Sequence, residues 1–335
     1  MEWHLNVPKI FHVYWGGSVL PYIRYATITS FKKFNPDWEI MFWYPKYPFV
    51  EYTWNSTELK YLIDCDDYLP ELMKSPIKKT AIDFEEINFK NDVSENFKSD
   101  YLRAYLLSTI GGVWADMDIV FLKSINNLTI NVSQNKNIET FVCVCNYGNS
   151  NGFLMSTPKN NFFERILLLS KNEFVPENYQ SIGPSLYNKY FPTFESISGI
   201  YSAININMSA VYMCDAQHIT DILSKSELNF PEGSIGVHWY AGHRQWEDFI
   251  KNTNGGLINL PDNIMGKILK ELNNNINNKF IIIIPVYNAE KYIKKCLESI
   301  LIQDYKNYVL IIIDDCSTDE TFNIINDVRK KNDSE

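Results

Sequence analysis

The stretch from Lys98 to Leu122, KSDYLRAYLLSTIGGVWADMDIVFL, constrains this chain more than any other. Leu102, Leu106 and Ile110 recur at helical spacing, which predicts an amphipathic helix over 99–110 with one buried stripe. Ser99 or Asp100 is its expected N-cap, and Gly111-Gly112 stop it as a left-handed C-cap requires. Val113 to Ala115 read as a short buried strand that ends on Asp116-Met117-Asp118. On an extended chain residues i and i+2 point the same way, so Asp116 and Asp118 are expected to project side by side. The carboxyl end of a strand in an open α/β sheet is where such sheets bind ligands. Two close carboxylates repel unless a cation lies between them, and hard oxygen ligands suit Mg²⁺ or Mn²⁺. Asp100 and Arg103, one helical turn apart, can face the same pocket. A bare D-x-D is common without metal; the succession of helix, Gly-Gly, buried strand and D-x-D gives this one its weight.

That succession, SDxLRxxxLxxxGGVWxDxD, resembles the DXD-motif sugar transferases, a retaining glycosyltransferase family (family 32-like), over roughly the first 250 residues. The resemblance implies a GT-A-type, Rossmann-like α/β fold with a mixed central sheet. It implies a nucleotide-diphosphate-sugar donor, with a UDP-sugar favoured over a GDP-sugar, and Mn²⁺ or Mg²⁺ as cofactor. It also implies transfer of a hexose-type sugar, with retention, to a glycan, glycoprotein or glycolipid hydroxyl. Asp116 would then hold ribose and metal, Asp118 would ligate the metal directly, and Asp100 and Arg103 would hydrogen-bond the donor sugar. Arg103 would also add positive charge where the leaving diphosphate develops its own.

Composition narrows the partners. A net charge of −9 argues against nucleic acid, whose phosphates need a basic face. An acidic protein that binds a sugar-nucleotide diphosphate needs a metal to offset the repulsion, in keeping with the D-x-D. The six cysteines (65, 143, 145, 214, 296 and 316) have neither metal-finger nor secreted-framework spacing, which suggests free thiols in a reducing compartment. No basic region followed by an apolar core opens the chain, and no apolar run approaches ~18 residues. A cytoplasmic location without a membrane span is expected.

Pro8 to Gly17 reads as a first strand and tight turn, 27–34 as a helix closed by Asn35-Pro36, and 38–44 as a second strand, together a βαβ unit. Members of the resembling family open with a strand that ends in Trp and Gly-Gly, the Trp stacking on the nucleotide base. That role falls to Trp15, with a core Trp at a strand end as the bland alternative. Residues 47–96 read as an insertion of short helices on the acceptor side, 126–137 as a loop, 140–144 as a strand and 146–152 as loose chain. A strand over 153–156 and a helix over 162–170 follow. The family carries an Asn near the donor sugar at the place of Asn151, where a turn Asn is the bland alternative. Gly183-Pro184 resembles the turn that lines its acceptor cleft, or is purely structural.

Gly236 to Trp246, GVHWYAGHRQW, holds two of the chain's five histidines. His238 follows a short apolar strand and can complete a metal's ligand set, since imidazole suits Mn²⁺, or it is a satisfied structural His. The family has a similar His-Trp…Gly-Ser…Trp segment that folds over the diphosphate. Here His243 stands where Ser is usual and Trp246 is displaced, so the phosphate contact is open between them.

Residues 252–279, ending NNNINN, read as a linker with a short helix, which leaves 1–251 as the first domain. In 280–335 the run FIIIIPVY predicts a strand buried on both faces, followed by a helix over 289–302 and a strand over 309–313 that ends in Asp314-Asp315. IIIPVYNAEKYIKKCLESILIQDY…IIIDDCSTDET resembles the opening of the inverting family 2 glycosyltransferases, with Cys316 in place of the usual Gly. The resemblance assigns nucleotide binding to Pro285, Tyr287 and Asp314. A unit this short leaves an apolar face uncovered and reads as a fragment. Two rival functions stand beside the transferase: a catalytically silent nucleotide-sugar or glycan-binding module, and a metal-dependent phosphohydrolase, which would need a second acidic cluster that the sequence lacks.

Overall fold

β1 (Ile10–Tyr14) is the strand on which the first unit is built, because its side chains are buried on both faces. Phe11 and Val13 enter one apolar core, and Tyr14 enters the other. α1 (Tyr22–Phe34) covers the first core, with Phe31 stacked on Phe11 at 3.6 Å between ring centroids. It returns the chain to β2 (Glu39–Pro45), parallel to β1. The computed structural model describes residues 6–49, 65–130, 137–145, 148–212, 219–227, 230–276, 280–303 and 308–332. It divides the chain into two units, Met1–Lys270 and Glu271–Glu335.

The first unit carries a seven-stranded sheet of order β3-β2-β1-β4-β7-β6-β8. β3 (Lys78–Ile82), β2, β1 and β4 (Gly112–Ala115) are mutually parallel, whereas β7 (Gly148–Ser156) runs antiparallel to β4 and to β6 (Thr140–Cys145). β8 (Ala203–Asn205) adds parallel to β6 at the far edge. This is an α/β architecture with a mixed central sheet, as expected. β5 (Ile119–Phe121) and β9 (Gly236–His238) form a separate antiparallel pair. α2 (Glu95–Thr109) covers the second core with Tyr101, Leu102 and Leu106. Strands β1 and β4 are neighbours, yet the chain adds β2 and β3 on the other side of β1. Their carboxyl ends therefore flank the crevice at which such sheets take ligands.

Several boundaries differ from the sequence reading. α2 begins a turn earlier than expected, after Ser94, because Ser99 and Asp100 lie inside the helix and Asp100 turns its carboxylate to Arg103 rather than to a cap. β3 lies within the stretch taken as a helical insertion; as an edge strand it reads KKTAI, without the apolar alternation that marks a central one. Residues 50–64 of that stretch lie outside the described residues. The loose chain expected over 146–152 is from Gly148 onward part of β7. The segment expected as a linker packs instead into the first unit as far as Lys270, with Ile264, Met265 and Leu269 buried and the Gly255 carbonyl accepting from Ile23 N.

Gly111 and Gly112 adopt φ of +72° and +108°, and Gly111 N donates to the Leu106 carbonyl, closing α2 as expected. His12 on β1 holds that closure in place. Its Nδ1 accepts from the Trp43 indole at 3.2 Å, so Nε2 carries the proton and donates to the Gly111 carbonyl at 3.0 Å. Burial pushes His12 down to about 4, with the Gly111 bond partly opposing. The unfolded chain takes up this proton near pH 6.5, so stability is full above that value and falls as pH drops toward about 4, by as much as ~3 kcal/mol. Urea unfolding followed from pH 7.5 to 4.5 should show that slope. His12→Gln keeps a donor and an acceptor without titrating and should flatten it; an unchanged slope would place the acid sensitivity in another group.

The second unit is a βαβα piece: β10 (Phe280–Val286), α3 (Ile293–Leu301), β11 (Tyr308–Asp314) and α4 (Thr321–Asn332), with β10 and β11 parallel. Ile284, Leu310 and Ile312 pack with Val286, Ile293 and Leu297. Ile281, Ile283, Ile311 and Ile313 are exposed. The strand expected to be buried on both faces is thus covered on one, because one layer of helices covers one face of a sheet.

Candidate active site

The turn after β4 brings the expected acidic pair together, although by a different route. β4 ends at Ala115, and Ile119 N donates to the Asp116 carbonyl at 3.2 Å, closing a four-residue turn before β5. The carboxylates therefore converge through a turn rather than along an extended strand. His238, at the end of β9 and in register with Ile119, joins them. Asp116, Asp118 and His238 each offer a ligand atom, and these atoms lie within 4.8 Å of one another.

Each of these side chains is held from behind. Asp116 N donates to the Gly152 carbonyl at 2.8 Å. Its Oδ1 accepts from the Trp114 indole at 2.8 Å and lies 3.2 Å from the Arg103 guanidinium. Asp118 Oδ2 accepts from Ala241 N at 3.1 Å, and its carbonyl accepts from Trp239 N at 2.9 Å. The His238 ring meets Tyr240 edge-on at 4.2 Å and tilts against Tyr212 at 5.0 Å. Burial would raise the Asp118 carboxyl, but His238, Arg24 and the Ala241 amide outweigh it and hold it below the usual carboxylate range.

This donor set fits a divalent cation. Asp118 Oδ1 is buried with His238 Nε2 at 3.2 Å as its one close polar neighbour, and His238 Nδ1 is buried without a hydrogen-bond partner among the described residues. Buried polar atoms left unpaired cost roughly 1–3 kcal/mol each, so such atoms around two carboxylates mark a place where a ligand completes the structure. Two oxygens and one imidazole suit Mn²⁺, and Mg²⁺ less well.

A second network adjoins the first. Arg103 is buried, pairs with Asp100 Oδ1 at 2.9 Å, donates to the Asn151 carbonyl and lies over the Trp114 ring at 5.2 Å. Asn151 Nδ2 donates to Asp100 Oδ1 at 3.2 Å. Burial pushes Asp100 up to about 6, Arg103 pulling it back and Asp116 adding to the rise. Gly183 lies so close that a Cβ there would fall 2.5 Å from Asp100 Oδ2. The structure thus brings Asp100, Arg103, Asp116, Asn151 and Gly183 into one cluster. The bonds of Arg103 run to protein groups, which casts it as the residue that positions both carboxylates.

Trp15 leaves β1 at the crevice, partly buried, with its indole donating to the Val19 carbonyl at 3.1 Å. Trp246, expected as a phosphate contact, lies in the core instead: it is 1% exposed and packs against Trp239 and Phe249 at the start of a helix, Trp246–Asn252. His243 is half-buried in the preceding turn, its Nδ1 accepting from Gln245 N at 3.4 Å. In the second unit Pro285 lies on β10 opposite Ile313, and Tyr287 follows that strand, exposed. Asp314 ends β11 with Oδ1 accepting from Ser317 N and Oγ. Cys316 has φ +59°, the left-handed region in which the usual Gly is unstrained.

Two groups escaped the sequence reading. Arg24 sits in α1 among Tyr22, Ile23 and Ala26 with no spacing that marks it. Glu95, in the first turn of α2, accepts from Phe49 N at 2.8 Å, from the buried Lys98 Nζ at 2.9 Å and from the Tyr14 hydroxyl, which ties α2 to the end of β1. A buried Lys98 is legible in sequence only through the Glu three residues before it.

Residues 24–134 match the model of the glycosyltransferase sugar-binding region containing DXD motif, and residues 281–334 match glycosyl transferase family 2. Among curated proteins the chain is similar to glycosyltransferase GlyA of Streptococcus pneumoniae serotype 4, 48% identical over 44 residues, which are 13% of this chain and 6% of that protein. It is also similar to poly(ribitol-phosphate) beta-N-acetylglucosaminyltransferase TarS of Staphylococcus aureus, 44% identical over 55 residues, 16% of this chain and 10% of that protein. The chain thus spans a small part of the length of these relatives. Of solved structures, the PaToxG glycosyltransferase superposes with a TM-score of 0.41 and 16% identity, covering 58% of this chain and 73% of that one. The galactosyltransferase LgtC, solved with donor and acceptor sugar analogues, gives 0.39 and 9%, covering 79% and 95%. No described helix is long and apolar enough to cross a membrane.

Proposed function

We propose that this chain, which carries segments matching two glycosyltransferase families, uses its first unit to transfer a hexose-type sugar from a nucleotide diphosphate to a glycan or glycoconjugate hydroxyl. The observation that carries this reading is the convergence of Asp116, Asp118 and His238 beside the Asp100–Arg103 pair, at the crevice between β1 and β4. A UDP-sugar is the favoured donor, and the anomeric configuration is retained. The second unit would be the nucleotide-binding start of a further transferase, with Pro285, Tyr287 and Asp314 at its strand ends. The protein would work in the cytoplasm.

In this reading Trp15 stacks the base, and Asp116, Asp118 and His238 hold Mn²⁺ or Mg²⁺. The ion supplies Lewis-acid charge to the departing diphosphate. Arg103 fixes the rotamers of Asp100 and Asp116, so both carboxylates are set before the donor arrives. Asp100 and Asn151 offer an acceptor and a donor to the sugar hydroxyls. Phosphate contacts fall to His243 rather than to Trp246.

The test is a screen of UDP- and GDP-sugars with Mn²⁺ or Mg²⁺, in which hydrolysis, transfer and binding are each measured. Turnover that EDTA abolishes is the expected result. Binding without turnover would leave the silent module, and phosphate release from simple nucleotides would favour the phosphohydrolase. Trp15→Ala should weaken nucleotide affinity by about tenfold, the worth of one stacked ring, with little effect on kcat; calorimetry that finds an unchanged Kd would remove Trp15 from the base site.

A further inference from the structure

Arg24 is 9% exposed, and two indoles share its guanidinium: Arg24 Cζ lies 5.2 Å from the Trp15 ring centroid and 5.1 Å from that of Trp239. These two tryptophans belong to separate parts of the fold. Trp15 leaves β1 in the seven-stranded sheet; Trp239 directly follows His238 of β9, which pairs with β5 in the small sheet. Trp239 also donates its backbone N–H to the Asp118 carbonyl. The charge of Arg24 reaches the Asp118 carboxylate and favours its ionised form. A buried cation is costly unless its surroundings answer it, and two π faces and a carboxylate are among the groups that answer this one. A planar guanidinium can stack on two rings at once, which a compact ammonium cannot.

From this juxtaposition we propose that Arg24 is a positioning residue that ties the base platform, Trp15, to the ion-holding segment Asp118–His238–Trp239, so that base and metal binding reinforce each other. The inference rests on the functional reading above, in which Trp15 takes the base and Asp118 and His238 take the ion. Arg24 covers one face of the Trp15 ring and so sets the orientation of the other. A base pressed on Trp15 limits the motion of Arg24, and through Trp239 that of the Asp118 loop. Coupling of this kind is reciprocal: whatever factor the base adds to metal affinity, the metal adds to base affinity.

The test needs a base without a phosphate, because a diphosphate would touch the metal itself. Mn²⁺ binding to the full chain is titrated with and without millimolar uridine, and in parallel with UDP. Wild type should bind Mn²⁺ about fivefold tighter or more when uridine is present. Arg24→Met and Arg24→Lys should both erase that gain and raise the Kd for UDP with Mn²⁺ by about tenfold, while circular dichroism remains that of wild type. A purely structural Arg24 would lower the melting temperature of Arg24→Met and leave the uridine effect intact in whatever protein folds. Should Arg24→Met not fold, Arg24→Lys and Trp239→Leu carry the same readout. Retained coupling in these variants overturns the inference, as does a wild type that binds UDP with Mn²⁺ yet shows no uridine effect. A wild type that binds neither UDP nor GDP with Mn²⁺ overturns the functional reading first, and this inference with it.

Discussion

Asp118→Asn should cut sugar transfer by about a thousandfold, equivalent to ~4 kcal/mol of transition-state stabilisation, with the melting temperature close to that of wild type. Asparagine has nearly the shape of aspartate and can still accept from Ala241 N, so the turn between β4 and β5 keeps its hydrogen bond. It loses the negative charge that sits beside His238 and would hold a cation. Initial rates of nucleotide release, with a melting curve for each variant, decide the matter. Wild-type turnover in the folded variant would take Asp118 out of the mechanism.

Arg103→Met should unfold the first unit more readily, by about 3–5 kcal/mol, since it strands two carboxylates that share one buried guanidinium. For a unit of this size that is a drop in melting temperature on the order of 10 °C. Adding Asp100→Asn to Arg103→Met removes one of the stranded charges and should recover part of the loss. Arg103→Lys restores a charge but cannot reach Asp100, Asp116 and the Asn151 carbonyl together, so it should fall between the two. A melting temperature for Arg103→Met equal to wild type would mean that the pairs contribute nothing, and that Arg103 serves substrate alone.

The parts of this site that could be read from the sequence are the ones with a strict local period or a required backbone conformation. Leu102 and Leu106 set the helical stripe of α2, with Ile110 at its C-cap, and Gly111-Gly112 announced its end because few other residues accept φ near +72° and +108°. The placement of Asp116 and Asp118 followed from the buried strand before them, although the turn that joins them did not, since a four-residue reversal closed by the Asp116 carbonyl leaves no signature in DMDI. β3 was hidden because KKTAI has the composition of solvated chain and pairs only on one side. Trp246 misled for the opposite reason: the resembling family's segment over the diphosphate ends in a Trp, but here the displaced Trp246 packs on Trp239 and Phe249, which come together only once the helix after Gln245 has formed. The hold of Arg24 on Trp15 and Trp239 spans 9 and 215 residues of chain, beyond the reach of any spacing rule.

The most direct test of the account is a titration of Mn²⁺ followed by electron paramagnetic resonance, with wild type and an Asp116→Asn, Asp118→Asn, His238→Gln triple variant, each with and without UDP. Wild type should take up one Mn²⁺ per chain at the first unit, tighter with UDP, and the triple variant should take up none there at the same concentrations. Equal uptake by the two proteins would contradict it, because the ion would then be held by groups other than the three that converge beneath β4.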